Sequence, residues 1–219
     1  MKNFYPALLK SPLFAGIQEH DLGAMLSCLG ARVTHFAKGE NILTEGDAAN
    51  QIGVMLSGCA QIYRIDFNGN RSLMAIAGPS EIFAETFAFA DAGALPVSVS
   101  ALEECDALLI HANRITHSCA QACHFHQRMI YNLMRILALK NIACNQKIEV
   151  TSKRSTREKL MTYLQLQAKK AKSSTFTIPF DRQALADYLE VERSGLSAEI
   201  GKLRREGVLK SEKSTFTLL

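Results

Sequence analysis

The sequence predicts an α+β protein built in three parts: an N-terminal antiparallel sandwich or barrel of short strands, a long helix, and a C-terminal winged helix-turn-helix. Three observations predict it. Between residues 32 and 111, short β-rich runs alternate with Gly, Asn and Pro; from about Arg114 to Pro179 neither Gly nor Pro intervenes; and residues 178–219 read as two short helices around a tight turn, followed by a small hairpin. The corresponding domain boundaries are 1–115, 116–152 and 153–219.

In the first part the strand candidates are 33–36, 41–44, 52–56, 59–65, 72–76, 97–101 and 107–110. Asn68-Gly69 falls between two of them, and this dipeptide tolerates the positive φ of a two-residue hairpin turn. Ser57-Gly58 marks a second tight turn. Many short strands at this spacing predict a sandwich or barrel.

In the long helix Ile130, Leu133 and Leu137 form one apolar stripe. Ile136, Ala143 and Val150 repeat at seven beside it. A helix apolar on two adjacent faces needs two neighbours, and the economical pair is its own barrel and a second copy of itself. Lys140 and Lys147 interrupt the neater stripe, so a plain surface helix stands as the alternative. Residues 153–157 read as a hinge, 158–170 as the next helix, and 169–174 as a polar loop.

The C-terminal segment is the most informative. Asp181 is placed to cap a helix over Arg182–Leu189, in which Leu185 and Leu189 share a face. Residues 190–192 leave room only for a sharp turn. In the second helix, from Arg193 to about 206, Leu196, Ile200 and Leu203 recur at four and three, and Gly207 supplies the left-handed residue that ends it. Strands at 208–209 and 216–218 flank residues 210–213. The face opposite the apolar one carries Arg193, Ser194, Ser197 and Ala198. The major groove of DNA admits one helix, whose first turns meet base edges, and a guanidinium such as that of Arg193 can bond guanine O6 and N7 together. Lys202, Arg204, Arg205, Lys210 and Lys213 suit phosphate contacts, and Arg182 completes the DNA-contacting set.

Charge agrees with this division. The net charge is +4, yet residues 1–117 hold 7 Lys+Arg against 12 Asp+Glu, whereas residues 118–219 hold 18 against 9. An acidic sensor joined to a basic, polyanion-binding part is the expectation. With 47% hydrophobic residues, no apolar run near the roughly 20 residues of a membrane span, and no export signal at the start, a cytoplasmic protein without a membrane partner is expected. Cysteines at 28, 59, 105, 119, 123 and 144 then argue against a disulfide framework, and most of them read as small core residues. No Gly-x-Ser-x-Gly, phosphate loop or His-Glu-x-x-His is present, so enzymatic activity is not expected.

One cluster tempts a different reading. Cys119, Cys123, His124 and His126 gather thiols and imidazoles that suit zinc, iron or haem, and Cys119 and Cys123 share a helical face. Covalent haem attachment needs Cys-x-x-Cys-His, and here three residues separate the thiols. A metal-, haem- or thiol-dependent redox protein is the alternative, with no metal site assigned.

The order of parts resembles the Crp/Fnr family of bacterial transcription regulators. The resemblance is carried by Ser155-Thr156-Arg157-Glu158-Lys159-Leu160, by residues 178–189, and by Val191-Glu192-Arg193-Ser194-Gly195-Leu196-Ser197. In the N-terminal part, Lys38-Gly39-Glu40, Glu45-Gly46-Asp47, Leu56-Ser57-Gly58 and residues 78–85 are similar to a cyclic-nucleotide-binding domain, which implies an antiparallel β-roll of double-stranded, jelly-roll-like type. The resemblance implies a symmetric homodimer on double-stranded DNA with inverted-repeat half-sites about one helical turn apart. It also implies a ligand or redox signal in the roll, and RNA polymerase as a partner if the protein activates. In nucleotide-binding members a Gly-Glu pair holds the ribose and an Arg-Ser pair neutralises the phosphate. Here the pairs read Ala84-Glu85 and Leu95-Pro96, which disfavours cyclic AMP, because a buried phosphate without a cation costs several kcal/mol. Glu85 is left as either a ribose ligand or a scaffold carboxylate. By the same resemblance an unknown small-molecule effector is lined by Glu85, Thr86, Leu95 and Pro96 and closed by Cys144 and Asn145 of the long helix. The family's N-terminal cysteine cluster for iron–sulfur is missing. Two departures bear on DNA: Glu190 occupies a turn position that is usually Gly, and Ala198 stands where several relatives carry a second base-reading Arg.

Overall fold

The computed structural model describes residues 2–69, 71–90, 92–116 and 124–219. The chain divides into two compact units, Met1–Ala138 and Leu139–Leu219.

The first unit opens with helices α1 (Tyr5–Lys10) and α2 (Glu19–Cys28). The roll follows: β1 (Arg32–Phe36), β2 (Asn41–Leu43), β3 (Gln51–Ser57), β4 (Ala60–Ile65), β5 (Arg71–Ala77), β6 (Ile82–Phe83), the short helix α3 (Glu85–Phe89), β7 (Ser98–Ala101) and β8 (Cys105–His111). Two four-stranded antiparallel sheets result, in the orders β1-β8-β3-β6 and β2-β7-β4-β5. The seven strands expected from the sequence are all present. Only the two-residue β6 escapes the alternation signal, being too short to show one.

Pleating sorts the side chains of these strands. Phe36, Met55, Ala60, Val99, Ala101 and Ala107 point between the two sheets, with Phe83 from β6. On the other face of the first sheet Ile52, Val54, Leu56, Leu108 and Ile110 meet the helices, where Leu8, Phe14, Leu22 and Leu26 are also buried. This second core takes in helix α4 (Ala112–Thr116) and the first half of the long helix α5 (His124–Thr151) through Met129, Leu133 and Ile136. Asn132 is buried in the same face, and its side-chain amide donates to the carbonyls of Leu13 and Ala15, both at 2.9 Å, so burial leaves no donor stranded.

The long helix corrects one expectation. Ile136 belongs to the core of the first unit and Val150 to that of the second, while Ala143 is exposed; the repeat at seven is therefore not a free seam. The exposed large apolar residues of α5 are Tyr131, Met134, Leu139, Ile142 and Ile148; all but Leu139 recur, with Ala138 and Asn145, at three and four along the helix. Among the described residues no helix is long and apolar enough to cross a membrane.

The second unit adds α6 (Thr156–Ala171), β9 (Thr175–Thr177), α7 (Arg182–Leu189), α8 (Arg193–Arg205), β10 (Leu209–Glu212) and β11 (Thr215–Leu218). Helix α6 begins inside the expected hinge because Ser155 and Glu158 form a reciprocal capping box, an arrangement worth about 1 kcal/mol. It also runs into the expected polar loop, ending at Lys172, whose φ is 51°. The wing has three strands, in the order β10-β11-β9. Its third strand comes from a repeat in the sequence: Ser-Thr-Phe-Thr occurs at 174–177 and again at 214–217, and the copies pair antiparallel with Phe176 opposite Phe216. The flanking threonines bond across the ladder, Thr175 to Thr217 and Thr177 to Thr215, each at 3.0 Å.

Candidate nucleic-acid interface and effector site

The helix-turn-helix is set by three local choices. Asp181 Oδ1 accepts from the Ala184 amide at 2.8 Å and starts α7 as expected. Glu190 ends it in the left-handed region, φ 54° and ψ 56°, with its amide and that of Val191 satisfying carbonyls of the last turn of α7. Helix α8 then presents Leu196, Ile200 and Leu203 to the core, all 4% exposed or less, beside Leu185, Leu189, Leu209 and Phe216. Burial of this kind stabilises by about 1.5–3 kcal/mol per side chain, enough to fix the helix's rotation about its axis.

That rotation exposes Arg193, Ser194, Ser197, Ala198 and Lys202 together. Lys210 and Lys213 are exposed on the wing, Lys213 at its tip with φ 48°. Two carboxylates, Glu199 within α8 and Glu206 at its C-cap, are held elsewhere: Arg157 of α6 contacts Glu206 at 2.6 Å and Glu199 at 3.5 Å. This pairing raises the Arg157 pKa, Glu206 being the chief cause, and lowers that of Glu206. With the carboxylates drawn to α6, the outward face of α8 is left positive. Arg182 differs from the rest of the expected set. Its guanidinium lies 5.0 Å from the Phe216 ring centre and 3.5 Å from Ser211 Oγ, and burial lowers its pKa. It ties α7 to the wing.

In the roll, Ala84 takes a left-handed conformation, φ 64°, and Glu85 opens α3 at 2% exposure. Thr86 donates to Glu85 Oε1 at 3.4 Å. Leu95 is buried, its backbone bonded to Gly46 and Asp47, while Pro96 beside it is exposed. Cys144 and Asn145 belong to the second unit and are exposed on α5, with Asn145 donating to Asn141 at 2.7 Å. Arg71, a cation of the second sheet, lies over the Tyr63 ring, 3.6 Å from its centre, and bonds Ser100 at 3.3 Å. Strand alternation places these residues on the face turned away from Ile62 and Val99, outside the inter-sheet core.

Of the metal or haem candidates, Cys119 and Cys123 lie outside the described residues. His126 is buried, with Nε2 3.1 Å from the Arg114 carbonyl, so its imidazole has a structural role. Among the described residues no group of three His, Cys, Asp or Glu is arranged to hold a metal, and the four described cysteines are free. Of the described cysteines Cys105 is buried, Cys28 and Cys59 are half-buried and Cys144 is exposed.

Known proteins share both halves of this arrangement. The model of the cyclic nucleotide-binding domain matches residues 33–122, and that of the Crp-like helix-turn-helix domain matches residues 158–219. The nitrogen fixation regulation protein FixK of Bradyrhizobium diazoefficiens is 27% identical over 83% of this chain and 75% of its own. A CRP-like cAMP-activated global transcriptional regulator of Mycobacterium tuberculosis is 24% identical over 61% of this chain and 58% of its own. Among solved structures, the catabolite activator protein of Thermus thermophilus superposes with a TM-score of 0.55 at 21% identity, covering 95% of this chain and 94% of that one. CprK in complex with OCPA superposes at 0.65 with 15% identity over 90% of each chain. The fold and site define a helix-turn-helix regulator with a ligand-binding-type roll. The chain belongs to the Crp/Fnr family of transcriptional regulators.

Proposed function

We propose that this regulator binds an inverted-repeat operator as a homodimer, reading one guanine per half-site through Arg193. The observation that carries the reading is the outward face of α8, where Arg193, Ser194, Ser197, Ala198 and Lys202 stand exposed while the carboxylates of Glu199 and Glu206 are engaged by Arg157. Lys210 and Lys213 supply phosphate contacts and hence salt dependence. The second copy covers the exposed apolar stripe Tyr131, Met134, Ala138, Ile142 and Ile148, whose three-and-four spacing suits a two-helix seam. Where the regulator activates, RNA polymerase is its further partner.

The effector is a small molecule other than cyclic AMP, bound in the roll near Glu85, Thr86, Leu95 and Pro96. Apolar Leu95 gives a phosphate no counter-charge, which supports this choice. By favouring one arrangement of the long helix, the effector shifts the population competent for DNA. A mobility-shift titration over a randomised inverted-repeat library tests the reading. Selection of a two-fold sequence with a conserved guanine in each half is expected; binding without sequence preference, lost uniformly with salt, overturns it.

A further inference from the structure

The acidic half of the chain contains a cavity with a basic wall. It measures about 440 Å³ and is lined by Leu29, Gly30, Arg32 and Thr34 of the α2–β1 region, Gln51 of β3, Leu109 and His111 of β8, and Arg114 of α4. None of these residues belongs to the group around Glu85, Thr86, Leu95 and Pro96. Register explains the convergence: Arg32 pairs with Leu109 across β1 and β8, and Gln51 pairs with His111 across β3 and β8, so these four side chains project from one side of one sheet.

We propose that this cavity binds a small, multiply charged oxyanion, a phosphate- or polycarboxylate-bearing metabolite. Residues 1–117 carry only 7 Lys+Arg against 12 Asp+Glu, yet two of those arginines share this wall and no carboxylate does. Among the described residues neither guanidinium forms an ion pair. Two unneutralised guanidiniums around one recess repel each other, and an oxyanion between them relieves the repulsion through charge-assisted, fork-shaped hydrogen bonds. Thr34 adds a hydroxyl. Gln51 Nε2 lies 3.5 Å from His111 Nε2, and this contact leaves His111 Nδ1 available as a donor. Leu29 and Leu109 give the recess an apolar wall, and its volume suits a compact metabolite. The Arg114 carbonyl is also the partner of His126 in the long helix, so an anion that draws on Arg114 acts at a residue already tied to that helix.

The test is a titration of the full chain with sodium phosphate, pyrophosphate and citrate, each against sodium chloride at equal ionic strength, followed by the ring resonances of His111. A saturable shift with one of the three oxyanions is expected. Response to phosphate or pyrophosphate marks a phosphate ligand, and response to citrate a carboxylate one. The pair Arg32→Gln, Arg114→Gln should weaken binding at least tenfold, and the pair Arg32→Lys, Arg114→Lys by less. Arg193→Ala with Lys210→Ala should leave it unchanged, separating this site from the DNA-facing cations. A drift equal to that with chloride, or a shift that survives the double glutamine variant, overturns the proposal. Neither outcome touches the operator reading, because no DNA is present.

Discussion

Lys147 Nζ, near the end of the long helix, lies 3.4 Å from Glu190 Oε1 at the turn of the helix-turn-helix, and also donates to the Tyr188 carbonyl. Lys159 of α6 reaches the Glu190 carbonyl at 3.3 Å. Two cations from two helices thus hold a turn residue whose left-handed backbone costs about 1–2 kcal/mol. The Lys147–Glu190 pair is partly exposed, at 32% and 63%, and such pairs contribute about 0–1 kcal/mol, so strain outweighs the pair. Glu190→Gly is therefore expected to stabilise the full chain by about 0.5–1 kcal/mol in urea unfolding. Lys147→Met loses both the pair and the donor to a helix-end carbonyl, and should destabilise by about 1 kcal/mol. A destabilised glycine variant would show that the anchoring outweighs the strain.

Arg193 and the wing lysines should fail differently. Removing a bidentate base contact costs about 1–3 kcal/mol and relaxes choice at one position, so Arg193→Ala should flatten one column of each half-site in a binding-site selection. Lys210→Ala and Lys213→Ala should weaken all sequences alike, lowering the salt slope by about 1 for each DNA phosphate deprived of its lysine. Equal weakening on all sequences with Arg193→Ala would assign that side chain to the backbone.

Much of this was legible in the residues. Alternation located seven strands of the roll, and the spacing of Leu196, Ile200 and Leu203 oriented α8, because both periods report directly on a buried face. Lys147, which looked like an interruption of an apolar stripe, is an anchor whose partners lie some forty positions away, beyond what any local pattern reports. The seven-residue repeat of Ile136, Ala143 and Val150 misled for a related reason: one helix serves two cores, and period alone does not say which core takes which residue. Two misses had signals in plain sight, the Ser155–Glu158 box that starts α6 and the duplicated Ser-Thr-Phe-Thr that supplies β9.

Tyr163, Phe180 and Tyr188 cluster with ring centres 5.1–6.1 Å apart. Burial pushes the Tyr163 phenol up to about 12 from an ordinary 10.0, with the neighbouring Tyr188 adding to the shift. A folded-state value above the unfolded one means the group's contribution is fully present below pH 10 and is lost as pH rises toward 12. Chemical unfolding between pH 9 and 12 should show stability falling across that window. Tyr163→Phe keeps the ring packing and should reduce the slope. A variant with the wild-type alkaline profile would assign the titration to another group.

Of the glycines, Gly53 has the least room for a side chain. It pairs with Phe83 between β3 and β6, and a methyl group at residue 53 would lie 1.9 Å from the Phe83 ring, well inside van der Waals contact. Phe83 is 2% exposed in the inter-sheet core beside Met55 and Ala84, so its ring has little space to retreat. Overpacking of this kind costs about 1–3 kcal/mol, at the upper end when the displaced group is a buried aromatic ring. Gly53→Ala should lower the unfolding midpoint accordingly. Gly53→Ala combined with Phe83→Leu, which removes the ring, should recover part of the loss although each single change is destabilising. A double variant no better than the sum of the two single changes would show that the clash is relieved by backbone movement instead of by the ring.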